Sequence, residues 1–329
     1  MDASYIVPLR RDRAEPDGDF TQYLENLNTH LEVIVVDGSP ADVFAAHHAL
    51  LSGDILHIPV DPLRQTPNGK VGGVLTGLAR ASHERVIIAD DDVRYDLSAL
   101  IRVVELLSDY TVVRPQNYFD PLPWHARLDT ARTLLNRVTG GDWPGTLAVR
   151  RSQLRRTNGY DGSVLFENLE LVRTVQAAGG REIVPLDLYV RRLPPATSHF
   201  LSQRVRQAYD ELARPFRLTV FLAALPCLAE AVLRGRWTRM ALAISVTVGA
   251  AEVGRRRAGG TSVFPLACSL LTPVWVIERA TCIWLALALR LARGGMPYRG
   301  IILPRSATPV RELRRRHRAA SQPKEGVLV

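Results

Sequence analysis

Lysine is almost missing from this chain of 329 residues: Lys70 and Lys324 are its lysines, so nearly all 42 basic side chains are arginine. Cysteine is equally scarce. Cys227, Cys268 and Cys282 lie in the apolar C-terminal half without C-x-x-C spacing, which excludes a disulfide framework and a zinc module and leaves them as small buried hydrophobes. Internal repeats and low-complexity tracts are absent. No secretory leader is expected, because the short apolar run at 4–9 is followed at once by Arg10, Arg11 and Asp12. No Phe, Tyr or Trp interleaves with the arginines between Arg311 and Arg318, so the stacking platform of a single-strand binder is lacking and nucleic acid is not an expected partner.

Apolar residues are plentiful, at 47%, which excludes disorder for most of the chain. The net charge is +9. Arginine in place of lysine, with abundant alanine, points to a high-GC bacterial genome. From Arg290 onward the chain carries Arg290, Arg293, Arg299, Arg305, Arg311, Arg314, Arg315, Arg316, Arg318 and Lys324 against Glu312 and Glu325. Placed directly after apolar segments, such a stretch reads as a cytoplasmic tail beside a membrane.

Residues 4–9, 31–36, 54–60 and 85–89 have the β-branched, apolar character of buried strands, and 72–81 has helical spacing. Strand, helix, strand at these intervals predicts a Rossmann-like α/β unit. A looser middle follows, with Pro115, Pro121, Pro123, Pro144 and the Gly140-Gly141 pair, before a helix over about 169–178. From Arg217 the composition shifts to apolar runs at 218–233, 240–253 and 263–291, which read as membrane-associated helices. The first is short for a span and contains Pro226 and Glu230, as an interfacial helix would. The last contains Glu278-Arg279, a pair expected to face protein or water rather than lipid.

Four motifs carry chemistry. Asp37-Gly38-Ser39-Pro40 ends the second strand and is either a plain turn or a carboxylate that accepts from a nucleobase imide. Asp90-Asp91-Asp92 ends the fourth strand as a solvated acidic loop or a cation site. Alternate side chains share a face, so Asp90 and Asp92 would approach one Mg²⁺ or Mn²⁺ while Asp91 points away. Glu167 and Glu170 suit a helix N-terminus, and Glu167 also suits a general base. Gln203-Arg204-Val205-Arg206-Gln207 is a polar helix face or, through Arg206, a phosphate contact.

In this order the motifs resemble those of the family 2 glycosyltransferases of GT-A fold, over roughly residues 4–210. The resemblance rests on Val35-Val36-Asp37-Gly38-Ser39, Gly69-Lys70-Val71-Gly72-Gly73, Asp90-Asp91-Asp92, a loop at 145–151, Glu167-Asn168, and Gln203 to Gln207. The membrane helices after it are similar to those of the ceramide-glucosyltransferase-like, lipid-acceptor branch. The resemblance implies donor contacts from Pro8, Asp37, Gly38, Ser39, Lys70, Asp90, Asp91, Gln203 and Arg206, and a metal on Asp90 and Asp92. Asn168 stands where that family places its catalytic Asp, and an amide is no base near neutral pH, so Glu167 is the expected base and Asp161 the reserve. Gln207 replaces the Trp of the family motif, which favours a single addition over polymer synthesis.

The expectation is therefore a GT-A Rossmann-like mixed sheet over 1–214, membrane-associated helices over 215–295 and a basic cytoplasmic tail over 296–329. Its function would be metal-dependent, inverting sugar transfer from a UDP- or GDP-sugar to a lipid or polyprenyl-type acceptor, with the catalytic domain on the cytoplasmic face of a bacterial inner membrane. A two-crossing topology would leave Arg255, Arg256 and Arg257 outside. Two other readings compete. A nucleotidyltransferase would want a glycine-rich loop after the first strand, where this chain has Pro8-Leu9-Arg10-Arg11-Asp12-Arg13. A non-catalytic membrane scaffold would explain Asn168.

Overall fold

The structure is a computed structural model describing residues 1–14 and 18–321; Lys324 and Glu325 of the expected tail lie outside the described residues. Its first half alternates as the apolar runs predict: β1 (Ala3–Leu9), α1 (Gly18–Asn28), β2 (Glu32–Asp37), α2 (Ala41–Leu50), β3 (Leu56–Pro59), α3 (Gly69–Arg80) and β4 (Arg85–Ala89). These four strands are parallel, in the order β3-β2-β1-β4. They read as continuous apolar runs because helices cover both faces. On one face Tyr5, Val7, Val33 and Val35 pack with Phe20 and Leu24 of α1; on the other Ile6, Ile34 and Val36 meet Val71 and Val74 of α3.

The chain continues through β5 (Val93–Arg94), α4 (Leu97–Leu106), β6 (Val112–Val113), β7 (Gln116–Phe119), α5 (Trp124–Thr139), β8 (Thr146–Arg150), α6 (Arg151–Arg156), α7 (Glu167–Ala177), β9 (Glu182–Ile183), β10 (Tyr189–Arg192), α8 (Thr197–Ser202) and α9 (Arg204–Tyr209). β8 inserts antiparallel between β4 and β6, giving the mixed order β3-β2-β1-β4-β8-β6-β9, and β5, β10 and β7 form a smaller sheet. Two expectations are corrected here. The stretch 145–151, read as a loop, is mainly strand β8. The loose middle contains the 16-residue helix α5, whose buried face carries Asp129, Thr133, Asn136 and Arg137, so no apolar stripe marked it.

After α10 (Pro215–Leu233), α11 (Trp237–Arg256), α12 (Leu266–Leu270) and α13 (Thr272–Arg293), the chain forms a hairpin, β11 (Met296–Tyr298) and β12 (Ile301–Leu303), and ends in α14 (Val310–Ser321). Among the described residues α10 is the helix long and apolar enough to cross a membrane. The others lie along the α/β unit. Gly254 of α11 sits so close to α5 that a Cβ there would stand 1.9 Å from the Leu134 carbonyl oxygen. Arg137 donates from Nε to the Gly254 carbonyl at 3.0 Å and from Nη2 to the Arg257 carbonyl at 2.6 Å. The Glu278-Arg279 pair faces the interior, with Glu278 at 2.6 Å from Arg204 and Arg279 buried against the Trp275 ring.

The described part of the expected tail is no free tail. Leu165 and Phe166 donate their N–H groups to the carbonyls of Arg305 and Ser306, at 3.0 and 2.8 Å, and the Thr308 N–H reaches Glu170 Oε2 at 2.6 Å. The segment returns to the α/β unit, and α14 packs on α7.

Candidate active site

In an open α/β sheet, ligands bind beyond the carboxyl ends of the parallel strands. A crevice of about 590 Å³ lies there, reached by Pro8 at the end of β1, Gly38 after β2 and Asp90 and Asp91 after β4. Lys70, Glu167, Gln203 and Arg206 complete the predicted site residues along it, while Asp92 is not part of its lining; Arg192, Asp210 and Tyr298 line it without having been singled out in the sequence, and so does Arg299, which the sequence placed in a basic tail.

Lys70, in the first turn of α3, holds Asp90 at 2.5 Å and Glu167 at 2.8 Å. Burial works against its charge, but the two carboxylates outweigh burial and hold the ammonium above the usual lysine range. Asp90 and Asp92 do share a side, since Arg192 from β10 spans them at 3.5 and 2.9 Å, while Asp91 reaches Arg11 at 3.4 Å. Burial pushes the Asp92 carboxyl up to about 6, with Arg192 pulling it down and Asp90 pushing it up. Gly145 permits this crowding: a Cβ there would stand 2.8 Å from Asp90 Oδ2.

These acids fit a divalent cation. The donor set is all oxygen, as Mg²⁺ and Mn²⁺ prefer, and among the described residues Asp92 Oδ1 is buried without a hydrogen-bond partner. Among the described residues no group of three His, Cys, Asp or Glu side chains forms a ready cage. An open site of one or two carboxylates, completed by substrate phosphate and water, is the usual arrangement for Mg²⁺.

Other expected residues lie elsewhere. Asp37 is buried and does not line the crevice. Its Oδ1 accepts the Ser39 N–H at 2.9 Å, and its Oδ2 meets His47 Nδ1 at 2.6 Å and His57 Nε2 at 3.2 Å. Burial opposes its charge, but His57, Ser39 and His47 hold the carboxyl well below the usual range. Here it braces the turn that presents Gly38. Ser39 Oγ accepts the Arg11 N–H at 2.9 Å. Asp161, the reserve base, leaves the set: it accepts from the Ser163 N–H at 2.9 Å, pairs with Arg316 of α14 at 3.2 Å and lines a separate pocket. Asn168 donates to the Pro144 carbonyl at 2.9 Å, tying α7 to the turn before β8.

The wall away from the strand ends comes from α9 and the hairpin. Arg206 donates from Nη1 to Gln203 Oε1 at 2.8 Å and lies 5.0 Å over the Tyr298 ring. Asp210, one turn on, is half-buried, and burial pushes its carboxyl up to about 7 against the pull of Arg206 and Arg214. The sequence marked it by no motif; an acid one turn after the Gln-x-x-Arg pattern was the one available sign.

The glycosyl transferase family 2 model matches residues 20–153. No curated protein matches the chain. Among solved structures, a mannosyltransferase from Pyrobaculum calidifontis in complex with GDP-Man and Mn²⁺ is 20% identical, with 86% of this chain and 87% of that chain covered and a TM-score of 0.51. Mannosyl-3-phosphoglycerate synthase from Rubrobacter xylanophilus is similar at 16% identity, covering 61% of this chain and 69% of that one, with a TM-score of 0.41. Residues 20–153 match the glycosyl transferase family 2 model, the fold around them is GT-A-like, and the chain is a glycosyltransferase.

Proposed function

We propose that the protein transfers a sugar, with inversion, from a UDP- or GDP-sugar to a lipid or lipid-linked acceptor at the cytoplasmic surface of a bacterial inner membrane. The observation that carries this reading is the crevice. It gathers Pro8, Gly38, Lys70, Asp90, Asp91, Glu167, Gln203 and Arg206, spread over some two hundred positions of chain, at the strand ends where a nucleotide would lie.

Lys70 and Arg206 give the crevice two cations for a diphosphate, Arg206 with the fork geometry that phosphate oxygens match. Asp90, which lines the crevice with Asp91, and Asp92, which lies beside it against Arg192 and outside the lining, would hold Mg²⁺ or Mn²⁺, which when bound neutralises charge on the leaving diphosphate. Glu167 keeps Lys70 in place from α7. Inversion requires a carboxylate on the acceptor side to receive the hydroxyl proton, and Glu167 and Asp210 are the acids on the crevice wall away from the strand ends.

Membrane attachment is supported by the outer surface of the C-terminal helices, where Phe216, Leu233, Trp237, Leu242 and Leu291 are exposed. An interfacial arrangement suits them better than the two-crossing topology. Arg257 donates to the carbonyls of Arg137 and Val138 in the α/β unit, at 2.5 and 2.6 Å, bonds that carrying Arg255, Arg256 and Arg257 across a bilayer would break.

The test is to incubate the purified full chain with Mn²⁺ and, in turn, GDP-mannose, UDP-glucose and UDP-N-acetylglucosamine, with and without extracted bacterial lipids. Release of nucleoside diphosphate, enhanced by lipid and accompanied by a glycosylated lipid in the mass spectrum, is the expected result. Release of inorganic diphosphate would instead identify a nucleotidyltransferase, and no turnover of any donor would favour a scaffold.

A further inference from the structure

We infer that Asp210, rather than Glu167, is the catalytic residue that takes the proton from the acceptor hydroxyl, an assignment that rests on the transfer reaction proposed above. Asp210 opens the short turn Asp210–Ala213 after α9 and lines the same crevice as Lys70, Asp90 and Glu167. Among the described residues its carboxylate accepts no hydrogen bond and forms no ion pair, although its backbone carbonyl is held by Ser306 Oγ at 3.3 Å. Glu167 is differently placed. Its Oε1 receives the Lys70 ammonium at 2.8 Å, and that ammonium also binds Asp90, so Glu167 belongs to the cationic network on the donor side. A carboxylate held by an ammonium is a poor proton acceptor, whereas an unpaired one beside the acceptor wall has its lone pairs available.

The surroundings of Asp210 suit the task. Arg206 faces it from α9, Arg214 from the entry to α10, Glu167 from α7 and Arg279 from α13. The three guanidiniums favour the anion; burial and the Glu167 charge oppose it, and the balance stands at about 7, near the value a base needs at neutral pH. In the step itself the acceptor oxygen forms a bond to the anomeric carbon while the bond from that carbon to the diphosphate oxygen breaks. The electron pair leaves with the nucleoside diphosphate, and the hydroxyl proton passes to Asp210. Water serves as the acceptor when donor is hydrolysed alone.

The experiment uses the full chain with Mn²⁺ and the donor on which wild type releases nucleoside diphosphate, measuring kcat, donor KM and the pH dependence of kcat for wild type, Asp210→Asn, Asp210→Glu and Glu167→Gln. Asp210→Asn is expected to lower kcat about a hundredfold or more, with donor KM changed less than about threefold. Wild-type kcat should rise with pH through about 7, this rise should vanish in Asp210→Asn, and Asp210→Glu should recover part of it. Glu167→Gln is expected to raise donor KM and to keep the rise. Thermal unfolding and binding of the free nucleoside diphosphate establish that each variant is folded; should Asp210→Asn fail to fold, the rate and pH profile of Asp210→Glu decide. An Asp210→Asn enzyme within tenfold of wild type, or one that keeps the rise, overturns the assignment. A hundredfold loss and a lost rise in Glu167→Gln alone return the role to Glu167. Wild type that releases nucleoside diphosphate from no donor overturns the transfer reaction itself, a different failure.

Discussion

In the central sheet Ile6, Ile34, Val35 and Val36 are fully buried, whereas on the C-terminal helices Phe216 and Leu233 are 82% and 87% exposed while Arg279 is buried, as are Arg204 and Glu211 just before those helices begin. The sheet hides these apolar side chains, whereas the helices bury some, such as Trp275 and Ile283, leave others outside and carry charge within. The sheet folds by removing hydrocarbon from water. The helices are attached to it by apolar packing, with Phe221, Trp275 and Ile283 against Ala131, Leu165 and Tyr209, and also by ion pairs and backbone contacts, among them Arg204 with Glu278 and Asp129, and Arg137 with the Gly254 carbonyl. Hydrocarbon left outside is then available to something other than the core, and a bilayer surface is the partner proposed here.

The contrast can be broken most severely at the buried ion pair. Arg204→Met leaves Glu278 unpaired and is expected to cost about 3–5 kcal/mol in urea unfolding, because a stranded charge keeps its desolvation penalty. Pairing it with Glu278→Leu should recover most of that loss, since Asp129 retains Arg132 at 3.3 Å. If the double variant is no better than the single one, ion pairing is not what joins these helices to the sheet unit.

Next in size is the α5–α11 seam. Gly254→Val places carbon against a backbone carbonyl that has no rotamer to yield, and about 1–3 kcal/mol of destabilisation is expected, with faster proteolysis near Gly254. Wild-type stability and cleavage would mean that the seam is loose.

The exposed apolar face gives a smaller, selective effect. Phe216→Ser or Leu233→Ser should weaken cosedimentation with anionic vesicles about tenfold, against the roughly 1.5–3 kcal/mol available to a large buried side chain. Unfolding midpoints should stay nearly unchanged, whereas Val35→Ser should lower stability and spare vesicle binding per folded molecule. Unaltered vesicle binding in both surface variants would remove the membrane from the comparison.

The smallest effect belongs to Asp37. Its carboxyl lies below the ordinary value in the folded chain, so its stabilisation is fully present above about pH 4 and is lost as pH falls through the folded value. Asp37→Asn should cost about 1 kcal/mol at pH 7 and less on acidification, so the two unfolding curves draw together as pH falls below about 4. Parallel curves over that range would show that the Asp37 to His47 and His57 contacts contribute nothing to stability.

Much of the catalytic half was legible in the sequence. Strands β1, β2 and β4 declare themselves because a parallel strand covered on both faces is apolar over nearly its whole length, whereas the edge strand β3 exposes Leu56 and Pro59. Lys70, Asp90 and Glu167 were each singled out, though nothing local said that one ammonium would join the other two. Other parts had no local mark. Helix α5 buries Asp129 and Arg137, so it lacks the stripe by which helices are recognised. Arg192 reaches Asp90 and Asp92 from about 100 residues away. The 296–321 segment looked like a basic tail because its anchors, the carbonyls of Arg305 and Ser306 and the N–H of Thr308, are backbone groups, which composition does not reveal.

From its order of residues alone, the protein was determined to be an α/β unit with acids at its strand ends, a lysine at a helix start and apolar helices after it. Those features depend on neighbours within a few positions, through strand alternation, helical spacing and turn preference. Tertiary structure decided which acid meets which cation, that Asp37 lies behind the crevice and Asp161 outside it, and that the Asp210 carboxylate has no partner among the described residues on the crevice wall. Pairing, burial and proton affinity depend on groups brought together from distant parts of the chain, and only the closed fold brings them within a few ångströms.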